Sequence, residues 1–192
     1  MILVTIANHT GDCQIPGFTA TTGEKKGYFT AESFSFGVQR ELTDSAKSGT
    51  ADVTLGVGEL QECTVSKSMD AVSTFLARKA ISGSSVGTVE IKFVEAITVG
   101  EEMGNVVFLV FKLDNTFIKS WTMSGDADGR PTEDVALWYN KIAFTYFATT
   151  DGKVFTKQQE CCWDHVQSKP WSEPGLPASV ESYDSKGEKL IK

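Results

Sequence analysis

The sequence predicts a mainly β protein, a sandwich or barrel with one flanking α-helix. Three observations carry that reading. Period-two alternation of apolar and polar residues recurs along most of the chain. Only one segment shows helical spacing. Glycine-containing turns separate the strand signals at irregular intervals.

Taken in order, Tyr28 to Val38 (YFTAESFSFGV) places Phe34, Phe36 and Val38 on one strand face. The glycine spacing of Gly49–Gly58 marks a loop. Leu60 to Val65 is a weaker strand signal. Asp70 is expected to be the N-cap of the helix, which runs to Ile81 with an apolar stripe of Val72, Phe75, Leu76 and Ala80. Arg78 and Lys79 sit in its last turns, where cations suit the helix dipole, and Gly83 is placed to end it. After the loop Gly83–Gly87, Gly87 to Val94 alternates Val89, Ile91 and Phe93 against Thr88, Glu90 and Lys92. Gly104 to Leu113 is almost wholly apolar, as a strand covered on both faces would be. Phe117 to Ser124 and Asp134 to Thr149 continue the series. Asp151-Gly152 signals a hairpin turn, and Val154 to Cys162 returns from it. From Ser168 onward, Pro170, Pro174, Gly175 and Pro177 mark an extended C-terminal arm.

Composition bounds the function. The 192 residues are 41% hydrophobic and 22% charged, which is globular rather than disordered. A chain of this length buries about 70% of its unfolded surface, so folding requires no disulfide or metal. The net charge is −7, against a nucleic-acid-binding role or docking on an anionic membrane. The longest apolar run, Val106 to Phe111, is far short of the ~20 residues that span a bilayer. Met1 to His9 has no basic region and too short an apolar stretch for a secretory signal, so folding in the cytosol is expected. Two His leave little material for acid–base or metal chemistry.

The densest chemical cluster is Cys161-Cys162-Trp163-Asp164-His165. Adjacent cysteines on a strand point to opposite faces, which suits packing better than a metal site; a vicinal disulfide is a further alternative. A thiol nucleophile with His165 as base is the one enzymatic option, and it requires a lowered thiol pKa. Cys13 and Cys63 read as isolated, reduced small hydrophobes. No G-x-S-x-G, H-E-x-x-H or phosphate-loop pattern occurs, and Gly56-Val57-Gly58 lacks the context of a dinucleotide site. Asp126 and Asp128 lack the further ligands and closing Glu of a calcium loop. The stretch Ser124 to Glu133 is instead a long polar loop between strong strands, either an interaction surface or an ordinary solvated connection. The residues thus point to no cofactor, no metal and no catalytic group.

Ser120 to Tyr146 (SWTMSGDADGRPTEDVALWYNKIAFTY) closely resembles the Hcp family, the haemolysin-coregulated proteins of type VI secretion. The resemblance rests on Ser124, Gly125, Pro131, Thr132, Glu133, Tyr139, Lys141 and Ile142. Ser33 to Val38 looks like the family's Ser-Phe-Ser-Trp/Phe-Gly-Val strand. Val65 to Asp70 resembles its Lys-x-x-Asp-x-x-Ser segment, and Ile15-Pro16-Gly17 the end of its first strand and turn. The order is kept over residues 1–171. Phe18 departs from a commonly acidic position, and the Cys pair and residues 172–192 lie outside the pattern.

The resemblance implies a two-sheet β-barrel over residues 1–171, one flanking helix, and an extension at 172–192 whose order stays open. It implies six subunits in a ring and rings stacked into the inner tube of a contractile secretion apparatus, with no reaction catalysed. The implied partners are further copies of the chain, the sheath, spike and baseplate proteins, and effector proteins held in the channel. Export without a signal peptide follows. Stacking is expected to use the Gly49–Gly58 and Ser124–Thr132 loops, with Gly49, Asp52, Ser124, Asp126, Asp128 and Arg130 as candidate contacts. The alternative is a stand-alone β-barrel that binds a small apolar ligand, which an interior filled by Phe34, Phe36, Phe93, Phe108 and Phe144 would disfavour.

Overall fold

A computed structural model of the chain describes residues 1–7, 9–18, 27–44, 53–99, 102–148, 155–178, 180, 182–184 and 186. Its elements are β1 (Ile2–Ile6), β2 (Tyr28–Ala31), β3 (Ser33–Ser35), β4 (Val38–Asp44), β5 (Val53–Leu60), β6 (Cys63–Ser68), α1 (Ser73–Ser82), β7 (Gly87–Val99), β8 (Glu102–Ser124), β9 (Thr132–Ala148), β10 (Thr156–Asp164), β11 (Lys169–Pro170) and β12 (Ser182–Asp184). Ten strands form one sheet whose main path is β11-β10-β9-β8-β7-β1-β2, and β4 and β5 form a separate two-stranded ribbon. All the pairings are antiparallel.

The sheet branches because its two longest strands outreach their neighbours. The β9 strand pairs with β6 through Thr132–Leu137 and with β10 through Lys141–Ala148. The β8 strand runs 23 residues, pairing with β9 from Leu109 to Ser124 and with β12 at Gly104–Val106. Period-two burial therefore gives β8 apolar cover on both faces, as its composition predicts. One face carries Ile91, Phe111, Leu113, Ile142, Val4 and the helix residues Val72 and Leu76. The other carries Leu3, Val94, Val106, Val107, Val110 and Phe147.

Several expected boundaries move. The single strand Tyr28–Val38 is three, broken at Glu32 and at Phe36-Gly37. Phe34 and Phe36 pack on the main core, whereas Val38 is 61% exposed. The chain leaves the sheet at Gly37, so Val38 belongs to the ribbon instead. Val53–Gly58, read as loop from its glycines, is strand in β5, because pairing with β4 satisfies its backbone. The expected strands Gly104–Leu113 and Phe117–Ser124 are one strand, carried through Asn115 at φ 48°. Around Ile15-Pro16-Gly17 the structure has a turn, with Phe18 N–H donating to Ile15 C=O at 2.9 Å and Gly17 at φ +84°, but the first strand ends at Ile6. The Asp151-Gly152 turn lies outside the described residues. The ladders describe an open, branched sheet; among the described residues they do not close into a barrel.

The helix begins later than its capping residue suggests. Its boundary residue is Val72, which makes no side-chain cap, so Asp70 is not the N-cap. Asp70 instead closes the turn before the helix: its Oδ1 accepts the Val72 N–H at 2.8 Å, and the Asp70 N–H donates to Ser73 Oγ at 2.9 Å. The C-terminus follows expectation. Gly83 adopts φ 64°, ψ 13° and donates its N–H to Lys79 C=O at 3.0 Å.

Candidate functional site

Where β6, α1 and β9 meet, the structure buries a charged network. Lys67 and Glu133 are directly opposite in the β6–β9 register, and both side chains have no solvent exposure. Lys67 Nζ lies 2.7 Å from Glu133 Oε1 and 2.7 Å from Asp70 Oδ1, and it donates to Ser68 C=O at 2.9 Å. Ser73 Oγ donates to Glu133 Oε1 at 2.9 Å, and Trp121 Nε1 donates to Glu133 Oε2 at 2.9 Å. Lys67 Nζ also sits 5.3 Å from the centre of the Phe29 ring.

The ammonium has three protons to share among two carboxylates, the Ser68 carbonyl and the Ser73 hydroxyl, the last at 3.3 Å. The Ser73 hydroxyl is itself fully buried. Neither group faces solvent, so the network acts as a lock between helix and sheet. Lys67, Asp70 and Glu133 are motif positions in the sequence, but the motif does not give their role. A signal existed: Lys67 shares the buried phase of Cys63 and Val65, and Glu133 that of Val135 and Leu137. Opposite charges in the buried phase of two strands imply a pair.

The lock holds one end of the polar loop between β8 and β9. The Met69 N–H donates to Pro131 C=O at 2.9 Å, tying the loop to the β6–α1 turn. Asp126 Oδ1 accepts the Asp128 N–H at 3.2 Å, rigidifying the tip. Ser124, at the end of β8, is exposed, as are Asp126, Asp128 and Arg130. Arg130 lines a shallow cleft with Asp12, Glu32, Ser68 and Asp70. Three of the six expected contact residues, Asp126, Asp128 and Arg130, thus lie on one exposed loop, and Ser124 ends the strand that leads into it. Gly49 and Asp52 lie outside the described residues.

A second surface is aromatic. Phe34, Phe36, Phe93, Phe111, Phe144, Phe108 and Tyr146 form a connected series of ring contacts with centroids 4.9–6.2 Å apart. Phe111 is buried and Tyr146 is 51% exposed, so the series runs from the core to the surface.

The cysteine cluster lies at the end of β10. Cys161 and Cys162 are free, on an outer strand, with Cys161 exposed and Cys162 half-buried. Burial pushes the Cys162 thiol up, with Glu160 and Cys161 adding to the effect. Asp164 is buried 3.7 Å from Lys141 and accepts the Gln167 N–H, while the His165 ring meets Trp138 edge-on at 5.2 Å. Among the described residues no group of three or more His, Cys, Asp or Glu is placed to hold a metal ion, and no helix is long and apolar enough to cross a membrane.

A family model described as "Type VI secretion system effector, Hcp" matches residues 5–146. Among solved structures, a type six secretion system protein superposes with a TM-score of 0.71 at 22% identity, over 88% of this chain and 98% of its own. A type VI secretion system effector from Yersinia pestis gives 0.59 at 13% identity, over 85% and 99%. Hcp1 from Salmonella typhimurium gives 0.58 at 12%, over 88% and 97%. At these identities the structures share a fold. No curated protein matches the chain by sequence.

Proposed function

Because the chain belongs to the Hcp family of type VI secretion system proteins, we propose that it is a structural subunit of the secretion tube. In this reading six copies form a ring and rings stack into the inner tube, which is ejected on contraction and carries effector proteins in its channel. Partners are then further copies, the sheath, the spike and the baseplate. Residues 1–171 form the tube domain in this reading, and 172–192 are an extension.

The observation that carries the reading is the β4–β5 ribbon. Among the described residues it pairs with no strand of the ten-stranded sheet. An isolated two-stranded hairpin is marginal in water and an exposed strand edge invites pairing, so the ribbon needs a partner surface. A head-to-tail ring supplies one to every subunit. The alternative of a ligand-binding barrel has no enclosed interior to support it, because the ladders of the described residues leave the sheet open and the aromatic series runs out to the surface. Burial raises the Cys162 thiol, the opposite of what activation of that thiol requires.

Multi-angle light scattering on the purified protein tests the ring. The expected mass is six times 20.9 kDa. A strict monomer at high concentration, without assembly on adding the partner proteins, would overturn it.

A further inference from the structure

The C-terminal segment lies along the chain's own sheet. Beyond residue 146, where the family match ends, β12 adds to β8 with Ser182 opposite Val106, Tyr183 opposite Asn105 and Asp184 opposite Gly104. The β8–β9 ladder ends at Leu109–Tyr146, so β12 takes the edge that β9 leaves open. Leu176, Val180 and Tyr183 pack on the second core. The Tyr183 ring meets Phe18 edge-on at 5.5 Å and rests on the bare backbone of Gly17, where a Cβ would lie 2.4 Å from the ring. Gly17, Phe18, Val107 and Val110 line a groove whose other wall is the arm itself, through Pro177, Val180 and Tyr183.

We propose that this groove is a strand-acceptor site that takes the C-terminal arm of a second copy in place of the chain's own. Backbone pairing at an open edge supplies affinity, and the Gly17–Phe18 seat for Tyr183 supplies specificity. The tether from Pro170 to Ser182 reaches about 40 Å when extended, the width of a domain of this size. An arm that long, held in cis by three ladder positions and a few apolar side chains, makes the same contacts on an adjacent copy. Such exchange creates no new interface and links copies at little cost. It does not depend on ring formation, because any two copies present the same arm and groove.

A fluorescent peptide spanning residues 171–192, titrated into the full-length protein, tests this by anisotropy. A Tyr183→Ala chain, whose own arm has lost its anchor, should bind the peptide saturably and at least tenfold more tightly than the wild-type chain, whose arm competes. A peptide with the same Tyr183→Ala change should bind at least tenfold more weakly. Val180→Ala opens the groove more gently and should shift affinity in the same direction, which keeps the test intact if Tyr183→Ala unfolds. Equal binding to mutant and wild-type chains, no saturable binding to either, or indifference to the tyrosine would each overturn the proposal.

Discussion

The buried ammonium of Lys67 faces two carboxylates, and among the described residues its charge is balanced only by them. Removing one partner leaves charge buried and unpaired. Lys67→Met is therefore expected to destabilise the fold by about 3–5 kcal/mol, measured by urea denaturation. Glu133→Gln keeps the side-chain shape and one acceptor oxygen but turns an NH2 toward a donor, so it should also destabilise measurably. Replacing both members, Lys67→Met with Glu133→Leu, should cost less than the sum of the single changes, since no lone charge then remains between them. A second residue-scale effect is pH. Burial pushes the Cys63 thiol from 9.0 up to about 12, and burial raises the Tyr139 hydroxyl as well. The folded state holds these protons where the unfolded state has released them. Stability is therefore full below about pH 9 and falls as pH rises toward 12. Cys63→Ala should flatten that decline in denaturation midpoints measured across pH.

At the scale of elements, local signals were good at faces and poor at ends. The helix stripe Val72, Phe75, Leu76 and Ala80 packs on the main core as its spacing implies. Gly83→Ala should destabilise by about 1–2 kcal/mol in thermal unfolding, because φ 64° forces a left-handed conformation on a residue with a Cβ. The helix start differs from expectation because Asp70 has the right chemistry two residues before the boundary residue Val72; its carboxylate is shared between the Val72 N–H and Lys67, and only the latter's position in β6 reveals that. Alternation makes Tyr28–Val38 look continuous because it does not record which partner each stretch pairs with. Here β2 pairs with β1, β3 with β6 and β4 with β5.

For the whole molecule, assembly is the property to test. Charge reversal in Asp126→Lys with Asp128→Lys sits on an exposed tip and should leave monomer stability within about 0.5 kcal/mol. If the loop is a stacking contact, the same variant should still form rings in light scattering but fail to form tubes by electron microscopy and fail in secretion. Unchanged tubes would remove this loop from the stacking surface. The candidate residues of this loop were legible because a polar stretch between two strong strands stands out in sequence. The lock beneath it was not, because Ser73 and Glu133 are 60 positions apart and their contact is a product of strand register.

The sequence by itself determined the class of fold, the faces of its strands and helix, and the motif positions that place it among type VI secretion proteins. Those depend on period, on turn chemistry and on residue identity, all of which are local. Only the tertiary structure decided that β8 is covered on both faces by different partners, that Lys67 meets Glu133, and that the C-terminal arm returns to the edge of β8. Pairing between distant strands sets those outcomes. Many partners are compatible with one alternating pattern, and burial of both cores at once selects among them.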